Sequence, residues 1–171
     1  MARHALTILY TGRGKGKTTA ALGQVLRAVG NGFKVCVIQF IKGSPTGEGK
    51  ACARLEDVDF YVMGSGFTWR QHREETRRAA EAGWALAEEK VMGGQYDLVV
   101  LDEVTYLLSH QLIEESQILR LIRERPATVH LVLTGRDAGQ TLVEVADLVT
   151  EMREVKHPYG AGVKAQPGIE F

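Results

Sequence analysis

Leu9-Tyr10-Thr11-Gly12-Arg13-Gly14-Lys15-Gly16-Lys17-Thr18-Thr19 is the stretch that decides the reading of this chain. An apolar run, Ala5 to Leu9, precedes it, and a helical pattern with Leu22, Val25, Leu26 and Val29 on one face follows it. Strand, glycine-rich loop and helix in that order are the context a phosphate-binding loop requires. Glycines let main-chain N–H groups turn inward around an anion, and the helix N-terminus adds partial positive charge. Lys17 is expected to reach a terminal phosphate and the Thr18 hydroxyl to ligate Mg²⁺, so the chain is expected to bind a nucleoside triphosphate. Counted back from Gly16, the usual G-x-x-x-x-G-K-[ST] spacing puts Thr11 where the first glycine should stand. The cradle survives that change, but it leaves room for a phosphate chain that lies differently from the one in ordinary NTPases.

Helical and strand patterns alternate outward from this loop. Apolar β-type runs occur at 5–10, 34–41, 58–63, 97–102 and 128–134, with a weaker sixth from Leu148 to Met152. Several are nearly continuous in Val, Leu and Ile, as parallel strands buried on both faces require. Helical patterns lie at about 17–31, 69–93, 114–125 and 138–146; in the second, Ala80, Trp84, Ala87 and Val91 share a face. The expected fold is α/β: a single-domain P-loop NTPase-like (RecA-like), mostly parallel sheet covered by helices on both faces, spanning residues 1–171. Ligands of such folds bind beyond the carboxyl ends of the strands.

Composition excludes other classes. Lys and Arg total 21, as do Asp and Glu, and this balance argues against nucleic acid as the main partner. Arg70, Arg73, Arg77 and Arg78 are interleaved with Glu74, Glu75 and Glu81, the pattern of a solvated helix face. No apolar run approaches a membrane span, and Met1-Ala2-Arg3-His4 leads straight into a strand without a secretory signal. Cys36 and Cys52 lack metal-ligand spacing, and Cys36 reads as a small buried hydrophobe. A reduced, cytoplasmic protein is expected.

Asp97-Leu98-Val99-Val100-Leu101-Asp102-Glu103 is the second informative stretch. An apolar strand ending in an acidic pair is the partner a phosphate loop needs: Asp102 would hold Mg²⁺ directly or through water, and Glu103 would join it or activate a water. Helix capping by Asp is the plainer account of the same residues. Thr134-Gly135-Arg136-Asp137 ends the fifth strand, and Arg136 is expected to point its planar fork at phosphate. Met63-Gly64-Ser65-Gly66-Phe67-Thr68-Trp69 follows the third strand; from composition alone, Phe67 and Trp69 pack under the next helix, though aromatics at a ligand edge also suit a large flat ligand. The closing stretch, Val155 to Phe171, is glycine-rich and basic yet ends in Ile169 and Phe171, so a docked loop is expected there, with His157 as a hydrogen-bonded structural histidine.

Taken together, TGRGKGKTTAALG, MGSGFTW, VVLDEVTY, LTGR, ADLVTEM and VKHPYGAGVKAQPGIEF resemble the P-loop ATP:corrinoid adenosyltransferases, also called cob(I)alamin or cob(I)yrinic acid a,c-diamide adenosyltransferases. The resemblance runs from about residue 6 to residue 171. It implies that a corrinoid reduced to Co(I) attacks the ribose 5′-carbon of ATP, forming a cobalt–carbon bond and releasing intact triphosphate. It also implies a nucleotide reversed relative to ordinary P-loop NTPases, which fits Thr11. Carried over by motif, the segment Gly12, Arg13, Gly14, Lys15, Gly16, Lys17, Thr18 and Thr19 would bind the nucleotide together with Arg136. Glu103 and Thr18 would hold Mg²⁺, with Mn²⁺ as a substitute and Asp102 as a further partner. Phe67 and Trp69 would occupy the lower corrinoid face and exclude its axial ligand, which reverses the packing preference stated above. Further implications are ATP as co-substrate, the corrinoid as substrate, an electron-donating reductase and a homodimer, with no role for nucleic acid or membrane. Family members often carry an N-terminal extension over the site, whereas only Met1 to Ala5 precede the first strand core here.

Two other readings use the same loop. An ordinary ATPase or RecA-like motor would use Glu103 to activate water and yield ADP and phosphate, but it leaves the FTW loop unexplained. A small-molecule kinase would need a base and an acceptor site. A non-catalytic binding regulator would be expected to have lost Lys17, Thr18, Glu103 or Arg136, and all four are present.

Overall fold

The computed structural model describes residues 4–64, 66 and 73–170. Six strands, β1 (Thr7–Thr11), β2 (Val35–Gln39), β3 (Val58–Val62), β4 (Leu98–Asp102), β5 (His130–Thr134) and β6 (Leu148–Glu151), form one sheet in the order β3-β2-β4-β5-β1-β6. Every pairing is parallel. The helices of the described residues are α1 (Lys17–Val29), α2 (Gly47–Cys52), α3 (Arg73–Met92), α4 (Thr105–Ser109), α5 (Glu115–Glu124) and α6 (Gln140–Val145), and a 3-10 turn spans Pro158–Ala161.

Alternation along the central strands sorts their side chains onto two cores. Ile38, Val99, Leu101, Leu131 and Leu133 face α3, α5 and the single buried leucines of α4 and α6, Leu107 and Leu142. Val35, Val37, Val100 and Val132 face α1 and Cys52 at the end of α2. Because both faces are covered, the strands can be apolar throughout; all five residues of β2 and of β4 are buried. The helical face expected on α3 holds, with Ala80, Trp84, Ala87 and Val91 all buried. The face expected on α1 holds in part: Val25 is buried beside Ala21 and Ala28, and Leu22 and Val29 pack against the core, whereas Leu26 is 61% exposed. Small residues let α1 lie close to the sheet, and the larger leucine is turned out.

Two short helices, α2 and α4, were not expected from the sequence. Each is only a turn or so long, and Gly47-Glu48-Gly49-Lys50-Ala51-Cys52 carries two glycines that hide the pattern. Thr46 caps α2 by accepting the Gly49 N–H at 3.1 Å. Cys36 and Cys52 are both buried free thiols, and burial pushes the Cys36 thiol up to about 12. No described helix is long and apolar enough to cross a membrane.

Candidate active site

The strand order sets the site. β5 lies between β1, which carries the glycine-rich loop, and β4, which ends in the acidic pair. β2 flanks β4 on its other side, and Gln39 is the register partner of Asp102. The carboxyl ends of β2, β4, β5 and β1 therefore stand in a row, each ending in a buried polar residue, Gln39, Asp102, Thr134 and Thr11.

Asp102 is the hub of that row and is 1% exposed. Its Oδ1 accepts the Thr18 hydroxyl at 2.9 Å and the Thr134 hydroxyl at 2.7 Å. Its Oδ2 accepts from Gln39 Nε2 at 2.9 Å. Thr134 Oγ1 in turn accepts the Glu103 N–H at 2.8 Å, so one hydroxyl fixes both members of the acidic pair. Three donors satisfy a carboxylate that has no water to turn to. Gln39 continues the network outward: Nε2 also donates to Glu48 Oε1 at 3.2 Å, and Oε1 accepts from Thr46 Oγ1 at 3.4 Å. Lys42 pairs with Glu48 at 2.6 Å. Burial alone would raise the Glu48 carboxyl, but the hydrogen bonds from Lys42 and Gln39 outweigh it and hold the group below the usual carboxylate range.

Glu103 lies beside Asp102, one residue beyond the end of β4. Its backbone is left-handed, with φ of 62°, a conformation uncommon for a non-glycine residue and frequent at functional sites. Burial, and then the adjacent Asp102 charge, push its carboxyl up to about 7, against the pull of Lys42, Lys17 and Arg136. A carboxylate held so reluctantly ionised is short of positive charge.

On the loop, Gly12 and Gly16 adopt positive φ, 95° and 116°. Thr11 is the last residue of β1 and pairs with Glu151, so it needs no left-handed backbone, and the turn begins one residue later at Gly12. Lys17 Nζ folds back over the loop and donates to the Gly12 and Gly14 carbonyls, 2.7 Å each. Burial and then Arg136 lower the Lys17 pKa, with Glu103 and the two aspartates opposing. Lys17, Thr18 and Thr19 open α1, where the first N–H groups have no carbonyl within the helix to receive them.

The other expected site residues fall into three groups. Arg136 is exposed at the end of β5, its carbonyl accepting the Thr105 hydroxyl at 2.7 Å, and its charge acts on both Lys17 and Glu103. Arg13 and Lys15 find partners other than the acidic pair. Arg13 lies 3.8 Å from Asp137 with both side chains exposed, and Lys15 donates to the Ile169 carbonyl at 2.8 Å and pairs with Glu170 at 2.5 Å. The Gly14 N–H is likewise taken, by the Met152 carbonyl at 2.6 Å. Phe67 and Trp69 lie outside the described residues. The base of their loop is described: a Cβ on Gly64 would stand 2.2 Å from the Ile41 carbonyl carbon, so the chain leaves β3 in direct backbone contact with the end of β2. His157 is the structural residue expected, its Nδ1 accepting the Tyr159 N–H at 3.2 Å.

Sequence reasoning passed over Gln39, Thr134, Lys42 and Glu48 as site residues. Gln39 had a legible signal: it is a lone amide closing the apolar run Val-Cys-Val-Ile. Lys42 and Glu48 had none, since their pairing depends on the fold of α2. A groove of about 740 Å³ adjoins Arg136 through Asp137, between α4, the start of α5 and the turn before α6; Leu108, Gln111, Leu112, Glu115 and Gly139 line it.

A glycine-rich loop between a parallel strand and a helix, facing an acidic strand end with one strand between them, defines a P-loop nucleotide-binding α/β protein. Within that class the match is specific. The chain belongs to the ATP:corrinoid adenosyltransferase family, described as ATP:corrinoid adenosyltransferase BtuR/CobO/CobP, whose model matches residues 3–171. It is 47% identical over 167 residues to a corrinoid adenosyltransferase of Pseudomonas aeruginosa, covering 96% of this chain and 82% of that one. Over 168 residues it is 43% identical to the corrinoid adenosyltransferase of Escherichia coli K12, covering 97% and 85%. A Sinorhizobium corrinoid adenosyltransferase is 43% identical over 171 residues, covering 97% and 80%.

Proposed function

We propose that this chain transfers the 5′-deoxyadenosyl group of ATP to the Co(I) centre of a reduced corrinoid and releases inorganic triphosphate. The observation that carries this reading is a family match across nearly the whole chain, together with a phosphate loop and acidic pair that the fold brings face to face. In the reaction, the cobalt electron pair forms the Co–C5′ bond, the C5′–O bond breaks, and its electrons leave with the triphosphate. Cobalt passes from Co(I) to Co(III). No proton is removed from the nucleophile, so the site needs no general base. It needs positive charge at the leaving group and alignment of cobalt with carbon.

The residues divide these tasks. Main-chain N–H groups of Gly16, Lys17, Thr18 and Thr19 face the phosphates, the Lys17 ammonium neutralises them, and Arg136 approaches from β5. Glu103 and Thr18 fit a hard divalent cation, Mg²⁺ or Mn²⁺: the donors are oxygens, and Glu103 is a half-buried carboxylate that a cation would relieve. Asp102, already receiving three hydrogen bonds, positions Thr18 from behind. When bound, the ion supplies further charge neutralisation at the phosphates. Phe67 and Trp69 serve the corrinoid, and the groove beside Arg136 offers room for the part of the substrates that the loop does not hold. A reductase must supply Co(I), because cobalt enters the step already reduced, and a homodimer is the assembly the family resemblance implies.

The test is anaerobic incubation with MgATP and chemically reduced cob(I)alamin, following the corrinoid spectrum and the phosphate products. A light-sensitive adenosylated corrinoid with inorganic triphosphate is expected. ADP and phosphate with an unchanged corrinoid would sink this reading in favour of an ATPase. Trp69→Ala is expected to retain MgATP binding and to lose most adenosylation; full activity in that variant removes Trp69 from the corrinoid site.

A further inference from the structure

The phosphate loop is not free-standing. Past the end of β6 the chain continues alongside it: Met152 N–H donates to the Thr11 carbonyl at 2.8 Å, and the Met152 carbonyl accepts the Gly14 N–H at 2.6 Å. The β1–β6 ladder thus runs on into the loop itself. The approach leaves no space for side chains, since a Cβ on Gly12 would lie 2.5 Å from the Met152 carbonyl oxygen and one on Gly14 would lie 2.7 Å from Arg153 main chain. Some 17 residues later the chain returns to the same loop (153 to 170), where Ile169 and Glu170 meet the Lys15 ammonium at 2.8 and 2.5 Å.

The contact is polar. Ile169 itself is 68% exposed, so among the described residues the return of this segment rests on Lys15. Lys15 and Lys17 therefore differ in kind. Lys17 lies across the loop within the field of Asp102 and Glu103, whereas Lys15 is turned outward onto a carboxylate and a carbonyl.

We infer that Lys15 and Glu170 form a latch by which the closing segment holds the phosphate loop in shape, Lys15 acting as a positioning residue rather than as a phosphate ligand. This rests on the nucleotide-site reading above, and it reassigns one of the two lysines that the family resemblance gave to the nucleotide. The loop enters and leaves its cradle between β1 and α1; the latch restrains its middle, where three glycines would otherwise allow many backbone states.

Charge reversal distinguishes a latch from a ligand. MgATP affinity is measured by calorimetry on the wild type, Lys15→Ala, Glu170→Gln, the double variant and the swap Lys15→Glu with Glu170→Lys, with Lys17→Ala as control. A partly exposed ion pair is worth about a fivefold change at most. Each single variant is expected to weaken binding by about two- to fivefold, the double variant no more than the worse single, and the swap is expected to recover most of the loss. Limited proteolysis of the ligand-free protein should show faster cleavage after residue 152 in either single variant and recovery in the swap. If Lys15→Ala costs tenfold or more while Glu170→Gln is neutral, or if the swap binds worse than either single, Lys15 is a phosphate ligand and the latch is wrong. If neither single moves affinity or cleavage, the contact positions nothing. Loss of binding in Lys17→Ala alone would leave the nucleotide site standing in both of those cases.

Discussion

The phosphate loop has an inner and an outer side, and both carry charge. On the inner side Thr18, Asp102, Thr134 and Gln39 are joined by hydrogen bonds of 2.7 to 2.9 Å around a carboxylate that is 1% exposed. On the outer side Lys15 and Glu170 make a shorter contact at 2.5 Å, with side chains 41% and 22% exposed. Distance alone would rank the outer pair first. Burial reverses the order, because a group that loses its partner in the interior has no water to turn to, whereas an exposed ammonium is solvated again at once. The inner side is therefore where a substitution is felt, and the outer side is where the loop can be adjusted.

Four measurements can break or sharpen that contrast. Lys17→Ala should give the largest effect, lowering MgATP affinity by about 10- to 150-fold, the loss of a charge-assisted hydrogen bond of about 1.5–3 kcal/mol. Calorimetry that finds a change below threefold would remove Lys17 from the phosphates. Gln39→Leu should follow, at about 1–2 kcal/mol of stability in urea unfolding, because Asp102 Oδ2 and Glu48 each lose a donor. A neutral outcome would mean that the inner network tolerates gaps as well as the surface does.

The third concerns Glu103 and its pH dependence. Its carboxyl is raised from 4.5 to about 7 in the folded chain. Below the lower value both folded and unfolded chains hold the proton, so the group is neutral in its effect. Between them the unfolded chain releases its proton and the folded chain keeps it, so stability from this group falls as pH rises, then levels above about 7. Thermal melts of the metal-free protein should show Glu103→Gln gaining on the wild type from pH 5 to about pH 7, with no further gain beyond. A difference that is constant with pH would show that Glu103 ionises freely. The smallest effect belongs to the outer side: Glu170→Gln should cost less than about 1 kcal/mol, and raised salt should shrink the difference. A cost comparable to that of Gln39→Leu would erase the distinction between the two sides.

Legibility in the sequence followed burial in the same way. All six strands could be read to within a few residues; β2 and β4 stand out because a parallel strand covered on both faces must be a continuous apolar run, whereas β6, exposed along its length, carries the weakest signal. Of the face expected on α1, Val25 is buried and Leu22 and Val29 pack partly against the core, but Leu26 was misjudged because close packing on the sheet selected the small Ala21 and Ala28. In the candidate site, the placement of Lys17, Thr18, Asp102, Glu103 and Arg136 was legible because each stands at or just past the carboxyl end of a strand. Gln39 stands out as a lone amide after Val-Cys-Val-Ile, but its role, like that of Thr134, comes from being side by side with Asp102 in a strand order that no local pattern encodes.

Local sequence determined what local chemistry can determine: the apolar runs, the glycine-rich turn, the acidic pair and the arginine after β5. Tertiary structure decided how these are shared out. It placed β5 between the loop strand and the acidic strand, gave Asp102 three donors while leaving Glu103 raised, and turned Lys15 outward and Lys17 inward although they lie two residues apart. The physical reason is that a side chain's charge is written in the sequence, but its partner and its solvation exist only once distant segments meet.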